Sequence, residues 1–179
     1  MSVPNVITIA RILTVPLTIW LIVTGRYDLA FWVFIVAGIS DGVDGFIAKR
    51  FQQTTELGSY LDPLADKLLL VSIYVSLGLS NLVPAWLVIL IASRDVLIIG
   101  GVLLAWVIER PVGLRPLALS KVNTAGQIIL AGCILAALGF NLVSESVLLA
   151  GYYLVAALTI FSGAQYLRAW GRHMANGQR

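Results

Sequence analysis

Residues 41–66 read DGVDGFIAKRFQQTTELGSYLDPLAD, and this stretch decides how the rest of the chain is to be taken. Asp41 and Asp44 lie three apart, and Asp62 and Asp66 four apart. Each spacing puts a pair of carboxylates on one face of a helix. Apolar segments flank the stretch at 29–39 and 68–79, so the aspartates fall inside predicted membrane spans. A carboxylate there is costly and marks a functional site. Four that converge repel one another unless cations sit among them. The pattern therefore predicts a divalent-metal site at the membrane. A lone aspartate could instead pair with Lys67 or Arg94, but four outnumber the nearby cations. A proton or ion pathway would spread its acids through the depth of the bilayer, whereas these cluster towards one side.

Composition sets the frame. Of 179 residues, 59% are hydrophobic and only 12% charged, where a soluble domain averages about a quarter charged. The expected fold is all-α, a polytopic membrane protein whose core is made by helices packing in lipid. It forms one integral-membrane domain over 1–179, with no separate soluble domain. The opening MSVPNVITIARILTVPL has no basic segment followed by a small-residue cleavage site, and is expected to be a first span rather than a removed signal peptide. The single cysteine, Cys133, lies in an apolar run and reads as a packed thiol. The single histidine, His173, falls in the basic tail and reads as solvated or headgroup-facing. The net charge of +3 is scattered at the flanks of apolar segments and forms no run, so no nucleic-acid partner is expected.

Six apolar segments can be drawn, at 5–24, 29–51, 57–79, 83–108, 122–140 and 147–170. Each is long enough to span at about 1.5 Å per residue. Lys49 and Arg50 flank the second. Arg110, Arg115 and Lys121 lie between the fourth and fifth, and Arg168, Arg172 and Arg179 end the chain. With six spans these sites share one face with the N-terminus. The other face has Arg26, beside Asp28, and the loop with Glu145. The basic face is therefore the cytoplasmic one, and the four aspartates lie towards it. Gly38, Gly42, Gly45 and Gly58 surround the acidic positions. They suit close helix packing, and beside the aspartates they leave room for a bulky ligand.

The arrangement Asp41-x2-Asp44-Gly45-x2-Ala48-Lys49-x8-Gly58-x3-Asp62-x3-Asp66 resembles the signature of the CDP-alcohol phosphatidyltransferases, Asp-x2-Asp-Gly-x2-Ala-Arg-x8-Gly-x3-Asp-x3-Asp. Seven of the eight fixed positions match with every gap kept. The departure is Lys49 in place of Arg, which keeps the charge but loses the planar fork for phosphate. The resemblance implies six transmembrane helices, a homodimer, and a polar site open to the cytoplasm. From the compact chain without a targeting extension, a bacterial inner membrane is expected. It implies one or two Mg²⁺ or Mn²⁺ ions held by Asp41, Asp44 and Asp62. Asp66 would be the general base and could also ligate the second metal. Gly45, Ala48 and Gly58 would line the CDP pocket, with Lys49 on the nucleotide phosphates. The implied donor is CDP-diacylglycerol, whose pyrophosphate sits at the interface and whose acyl chains lie in the bilayer. Carboxylates suit such hard ions, and CMP is the implied leaving product.

Three shorter segments bear on the acceptor. Pro4-Asn5-x2-Thr8-x2-Arg11 puts Asn5, Thr8 and Arg11 on one helical face. It resembles openings in phosphatidylglycerophosphate synthases and CMP-forming cardiolipin synthases, and Asn5 and Thr8 would join the CDP site. Ser93-Arg94-Asp95-Val96 and Ser120-Lys121-Val122-Asn123-Thr124-x2-Gln127 are similar to segments of the mitochondrial-type cardiolipin synthases. Lys121, Thr124 and Gln127 recur at helical spacing and predict a polar face on the fifth span. Arg94 would bind the acceptor phosphate with Lys121 and Thr124. Asp95, turned about 100° from it on a helix, is not its expected partner. Phosphatidylglycerol, giving cardiolipin, is the expected acceptor. Glycerol 3-phosphate is the alternative, since both are anionic. A divalent-cation transporter using the same aspartates is the rival from another class.

Overall fold

The computed structural model describes residues 3–51, 56–107 and 118–176, with side chains for 13–40, 67–100, 119–168 and 171. Among them the chain is all-helical: α1 Val3–Val23, α2 Tyr27–Phe51, α3 Glu56–Leu79, α4 Ala85–Val107, α5 Ala118–Phe140 and α6 Glu145–Asn176. Each expected apolar segment falls on one of these helices. Two boundaries differ by more than two residues. α5 starts four residues earlier than expected, because Ser120 and Lys121 continue the helix instead of ending the loop; a lysine at a helix end can lay its stem along the apolar surface. α6 runs six residues past Trp170 through the basic tail. α2 takes in Asp28 in its first turn, where a carboxylate faces the positive end of the helix dipole.

The helix ends follow local rules. Gly25, at φ +75°, ends α1 with Gly25 N–H donating to Ile22 O and Arg26 N–H to Leu21 O. Asn81, at φ +57°, ends α3 in the same way, through Gly78 O and Leu77 O. This paired bonding satisfies the last free carbonyls, and glycine and asparagine tolerate the left-handed backbone it needs. Asn141, at φ +54°, ends α5 by donating to Ala137 O.

The chain divides into two compact units. One comprises Met1–Val83 with Ala131–Glu145, the other Pro84–Leu130 with Ser146–Arg179. In the first, α1 packs on α2 and α3. Its core includes Ile22, Phe34, Ile73, Tyr74, Leu77 and Leu135, all nearly inaccessible. The C-terminal half of α5 closes on the start of α2. Phe31 and Phe140 meet edge to face at 5.5 Å, and a Cβ on Gly139 would lie 2.9 Å from Asp28 N and 3.0 Å from Asp28 Cα. Two backbones therefore touch there, which only glycine permits.

In the second unit the N-terminal half of α5 runs antiparallel to α6. Gly126 faces Val155 and Leu158, and Gly151 faces Leu130. Small residues at such positions let helices approach closely. Trp86 at the start of α4 stacks on Tyr153 of α6 at 5.9 Å.

Burial is partly inverted relative to a protein in water. Thr18, Ser76, Arg94, Asp95, Asn123 and Gln127 are buried, while Trp20, Ile39, Leu79, Ile89, Ile129 and Phe161 are exposed. Exposed apolar area on this scale marks contact with lipid or a partner. The hydroxyls of Thr18, Thr24 and Ser40 donate to the carbonyls four residues back, at 2.7–2.8 Å, which hides them from an apolar medium. Among the described residues two helical segments, Leu119–Phe140 and Glu145–Arg168, are by length and composition able to cross a membrane.

Candidate functional site

The backbone places the acidic motif on two helices of the first unit. Asp41, Asp44, Gly45, Ala48 and Lys49 are on α2, and Gly58, Asp62 and Asp66 on α3. Both helices pack on α1, which carries Asn5, Thr8 and Arg11. Each aspartate pair thus has the helical spacing expected of it, three residues on α2 and four on α3. The side chains of all these residues, including the four aspartates, lie outside the described ones. As a donor set, four carboxylates offer hard oxygen ligands, which fit Mg²⁺ or Mn²⁺ and not a soft metal. Among the described residues no other cluster of three or more histidine, cysteine or acidic side chains stands as a competitor.

The second unit holds a buried polar layer. Arg94 on α4 is 3% exposed. Its Nη1 donates to Asp95 Oδ1 at 2.6 Å. Its Nη2 donates to Ser120 Oγ of α5 at 2.5 Å and to Ser162 Oγ of α6 at 2.8 Å. The guanidinium also lies over the Tyr166 ring, 5.8 Å from its centre, within cation–π range. One turn along, Thr159 of α6 donates to Asn123 Oδ1 at 3.0 Å. Ser120, Asn123 and Gln127 on α5, at i, i+3 and i+7, therefore meet the stripe of Thr159, Ser162 and Tyr166 on α6. Arg94 Nε and Asn123 Nδ2 keep no hydrogen-bond partner among the described residues. An uncharged oxygen suits these donors, because Asp95 already cancels the guanidinium charge.

Two expectations change here. Asp95 is the ion-pair partner of Arg94. The 100° between their Cβ directions does not prevent it, because the long arginine arm folds back along the helix and no bulk water competes for the charge. On α5, Asn123 joins the expected polar residues and lies on the buried side of the helix. Asn123 and Gln127 are buried, Ser120 and Thr124 are half-buried, and Lys121 is exposed. Gln127 is compatible with both stripes at 3.6 residues per turn, so spacing alone could not separate them. Ser162, Thr159 and Tyr166 were missed altogether. Their signal was present as three polar residues at i, i+3 and i+7 in an apolar helix.

Comparison with known proteins follows the same motif. A sequence model of the CDP-alcohol phosphatidyltransferase family matches residues 1–162. Human cardiolipin synthase (CMP-forming) is 36% identical, over 96% of this chain and 62% of that protein. A probable cardiolipin synthase (CMP-forming) of Drosophila melanogaster is 33% identical over 93% of this chain and 57% of its own length. A chloroplastic CDP-diacylglycerol–glycerol-3-phosphate 3-phosphatidyltransferase of rice is 32% identical over 93% of this chain and 56% of its own. The chain thus spans about three fifths of the length of these relatives.

Proposed function

The chain belongs to the CDP-alcohol phosphatidyltransferase family, and on that premise we propose that it transfers the phosphatidyl group of CDP-diacylglycerol to phosphatidylglycerol, giving cardiolipin and CMP. The observation that carries this reading is the aspartate pattern on α2 and α3, with its gaps intact. The relatives named cardiolipin synthase support the choice of acceptor.

In this reading the protein is an integral membrane protein with six transmembrane helices. All six helices are 21–32 residues long, against the roughly 20 that a bilayer core requires. The partly inverted burial and the two membrane-capable helices support that placement. Its basic flanks support a site on the cytoplasmic side; in this reading the membrane is a bacterial inner membrane and the active form a homodimer.

Asp41, Asp44 and Asp62, with Asp66, would hold one or two divalent ions, Mg²⁺ or Mn²⁺. Such an ion, when bound, would neutralise charge growing on the CMP leaving group. Asn5, Thr8, Gly45, Ala48 and Gly58 line the CDP site, where Lys49 brings a positive charge to the phosphates. The acceptor hydroxyl attacks the phosphorus that bears diacylglycerol. The bond from that phosphorus to the bridging oxygen breaks, CMP leaves, and the hydroxyl proton passes to Asp66. Lys121, exposed at the start of α5, and Thr124, one turn on, bind the acceptor.

A second reading takes glycerol 3-phosphate as acceptor and is favoured by the similarity to the rice enzyme. An acceptor competition decides. Purified protein in mixed micelles receives CDP-diacylglycerol, Mg²⁺ or Mn²⁺, and either acceptor, and lipid products are identified by mass. Cardiolipin from phosphatidylglycerol alone is the expected result. Phosphatidylglycerophosphate from glycerol 3-phosphate overturns the acceptor while keeping the family chemistry. Ion flux in vesicles without CMP release would make the protein a divalent-cation transporter.

A further inference from the structure

We infer that Arg94 is a positioning residue: by holding Ser120 and Ser162 on one guanidinium it sets the first turns of α5 against α6, and with them Lys121, and it does not itself bind the acceptor phosphate. The inference rests on the acceptor role proposed for Lys121.

Arg94 is committed on several sides. Nη1 is taken by Asp95, and Nη2 bridges hydroxyls on two different helices. Its stem runs beside Gly163, where even a Cβ would sit at an ordinary 3.7 Å, and its plane lies over Tyr166. α6 thus receives the side chain through Ser162, Gly163 and Tyr166, one turn of helix. Asp95 is as buried as Arg94, with side-chain exposures of 5% and 4%. A phosphate arriving at Nη2 would have to displace both hydroxyls and lie near a carboxylate in a medium with little screening. Charge therefore argues against a direct contact.

Lys121 has the opposite character. It follows Ser120 directly and is exposed, about 100° round the helix from the buried face. An anchor on Ser120 fixes the rotation of α5 about its axis and so the direction in which Lys121 leaves it. The Thr159–Asn123 bond repeats the register one turn deeper. The fork serves the acid from Nη1 and both hydroxyls from Nη2; a lysine ammonium has three donors but on a single nitrogen, and so does not reproduce that spread.

The test uses full-length protein in mixed micelles with CDP-diacylglycerol and phosphatidylglycerol. Ser162→Ala and Arg94→Lys should each raise the KM for acceptor roughly tenfold, the size of one lost hydrogen bond to a charged group. The KM for CDP-diacylglycerol and the kcat at saturating acceptor should stay within about twofold, since losing a contact made equally in ground and transition states changes the acceptor KM alone. In a Lys121→Ala background, Ser162→Ala should add little, because both act through one contact. An unchanged or lowered acceptor KM in Ser162→Ala, with Nη2 freed for phosphate, overturns the inference. So does full multiplication of the two effects. A second readout needs no turnover: hydrogen exchange of the 122–127 amides should quicken in Ser162→Ala and Arg94→Lys but not in Lys121→Ala. If the wild type releases no CMP with either acceptor, the transferase reading fails by itself. Unchanged exchange in Ser162→Ala then separately refutes the clamp.

Discussion

Replacing Asp95 by asparagine removes one charge and almost no volume, and so isolates what the buried ion pair does. Arg94 Nη1 and Asp95 Oδ1 are 2.6 Å apart, with side chains 4% and 5% exposed. At that separation the gross attraction is about 6 kcal/mol for an effective dielectric of about 20. Most of it offsets the cost of taking both ions out of water, so the intact pair adds little net stability. Asp95→Asn leaves the cost of the arginine without the attraction, and the expected loss is about 3–5 kcal/mol. For a domain of this size that lowers the unfolding midpoint by on the order of 10 °C. The assay is thermal unfolding in detergent, followed by the reaction of a maleimide dye with Cys133, the sole and partly buried thiol. A double variant, Arg94→Met with Asp95→Leu, removes both charges and should recover most of the loss in stability. It should not recover the acceptor KM, because the bonds to Ser120 and Ser162 are gone. An Asp95→Asn protein melting within about 2 °C of wild type, less than 1 kcal/mol on the same scale, would refute the argument. A double variant less stable than Asp95→Asn would refute it too.

Other outcomes are expected from the same reading. Asp66→Asn should abolish turnover while CDP-diacylglycerol still binds; loss of binding, measured by calorimetry, would make Asp66 chiefly a metal ligand. Exhaustive chelation should stop CMP release, and Mg²⁺ or Mn²⁺ should restore it; activity persisting without metal would sink the metal role of the aspartates. Lys49→Arg should keep or tighten donor affinity, because the planar fork suits phosphate better, and a large loss would show that Lys49 faces elsewhere. Gly139→Ala should destabilise by about 1–3 kcal/mol, since its Cβ would lie 2.9 Å from the Asp28 backbone nitrogen and neither helix end can yield cheaply. Gly163→Ala, with only a 3.7 Å neighbour, is the tolerated control, and equal melting of the two would contradict the packing.

Much of the helical layout was legible along the chain. Apolar length is a one-dimensional property, so the six segments could be counted directly, and the Asp41, Asp44, Asp62 and Asp66 spacing could be placed on helices before any coordinate was known. Caps were local too: Gly25, Asn81 and Asn141 stand where a helix must end in a left-handed residue. Where α5 begins was less legible, because Ser120 and Lys121 have the composition of a loop but sit in the helix. Polar residues near a membrane surface carry no clear signal for helix against loop, since either can meet water there.

The sequence by itself determined the family and the helical frame, because both depend on residue types at fixed separations along one chain. Tertiary structure decided how the polar residues of the second unit are used. Spacing allowed α5 to turn either Thr124 or Asn123 fully inward, and packing against α6 buried Asn123 and left Thr124 half-buried. It also turned Arg94 from a free cation into one matched by Asp95 and shared between two helices. The reason is physical: a charge buried at this depth must find its partner wherever the fold brings one, and that depends on which helices meet, which no separation along the chain records.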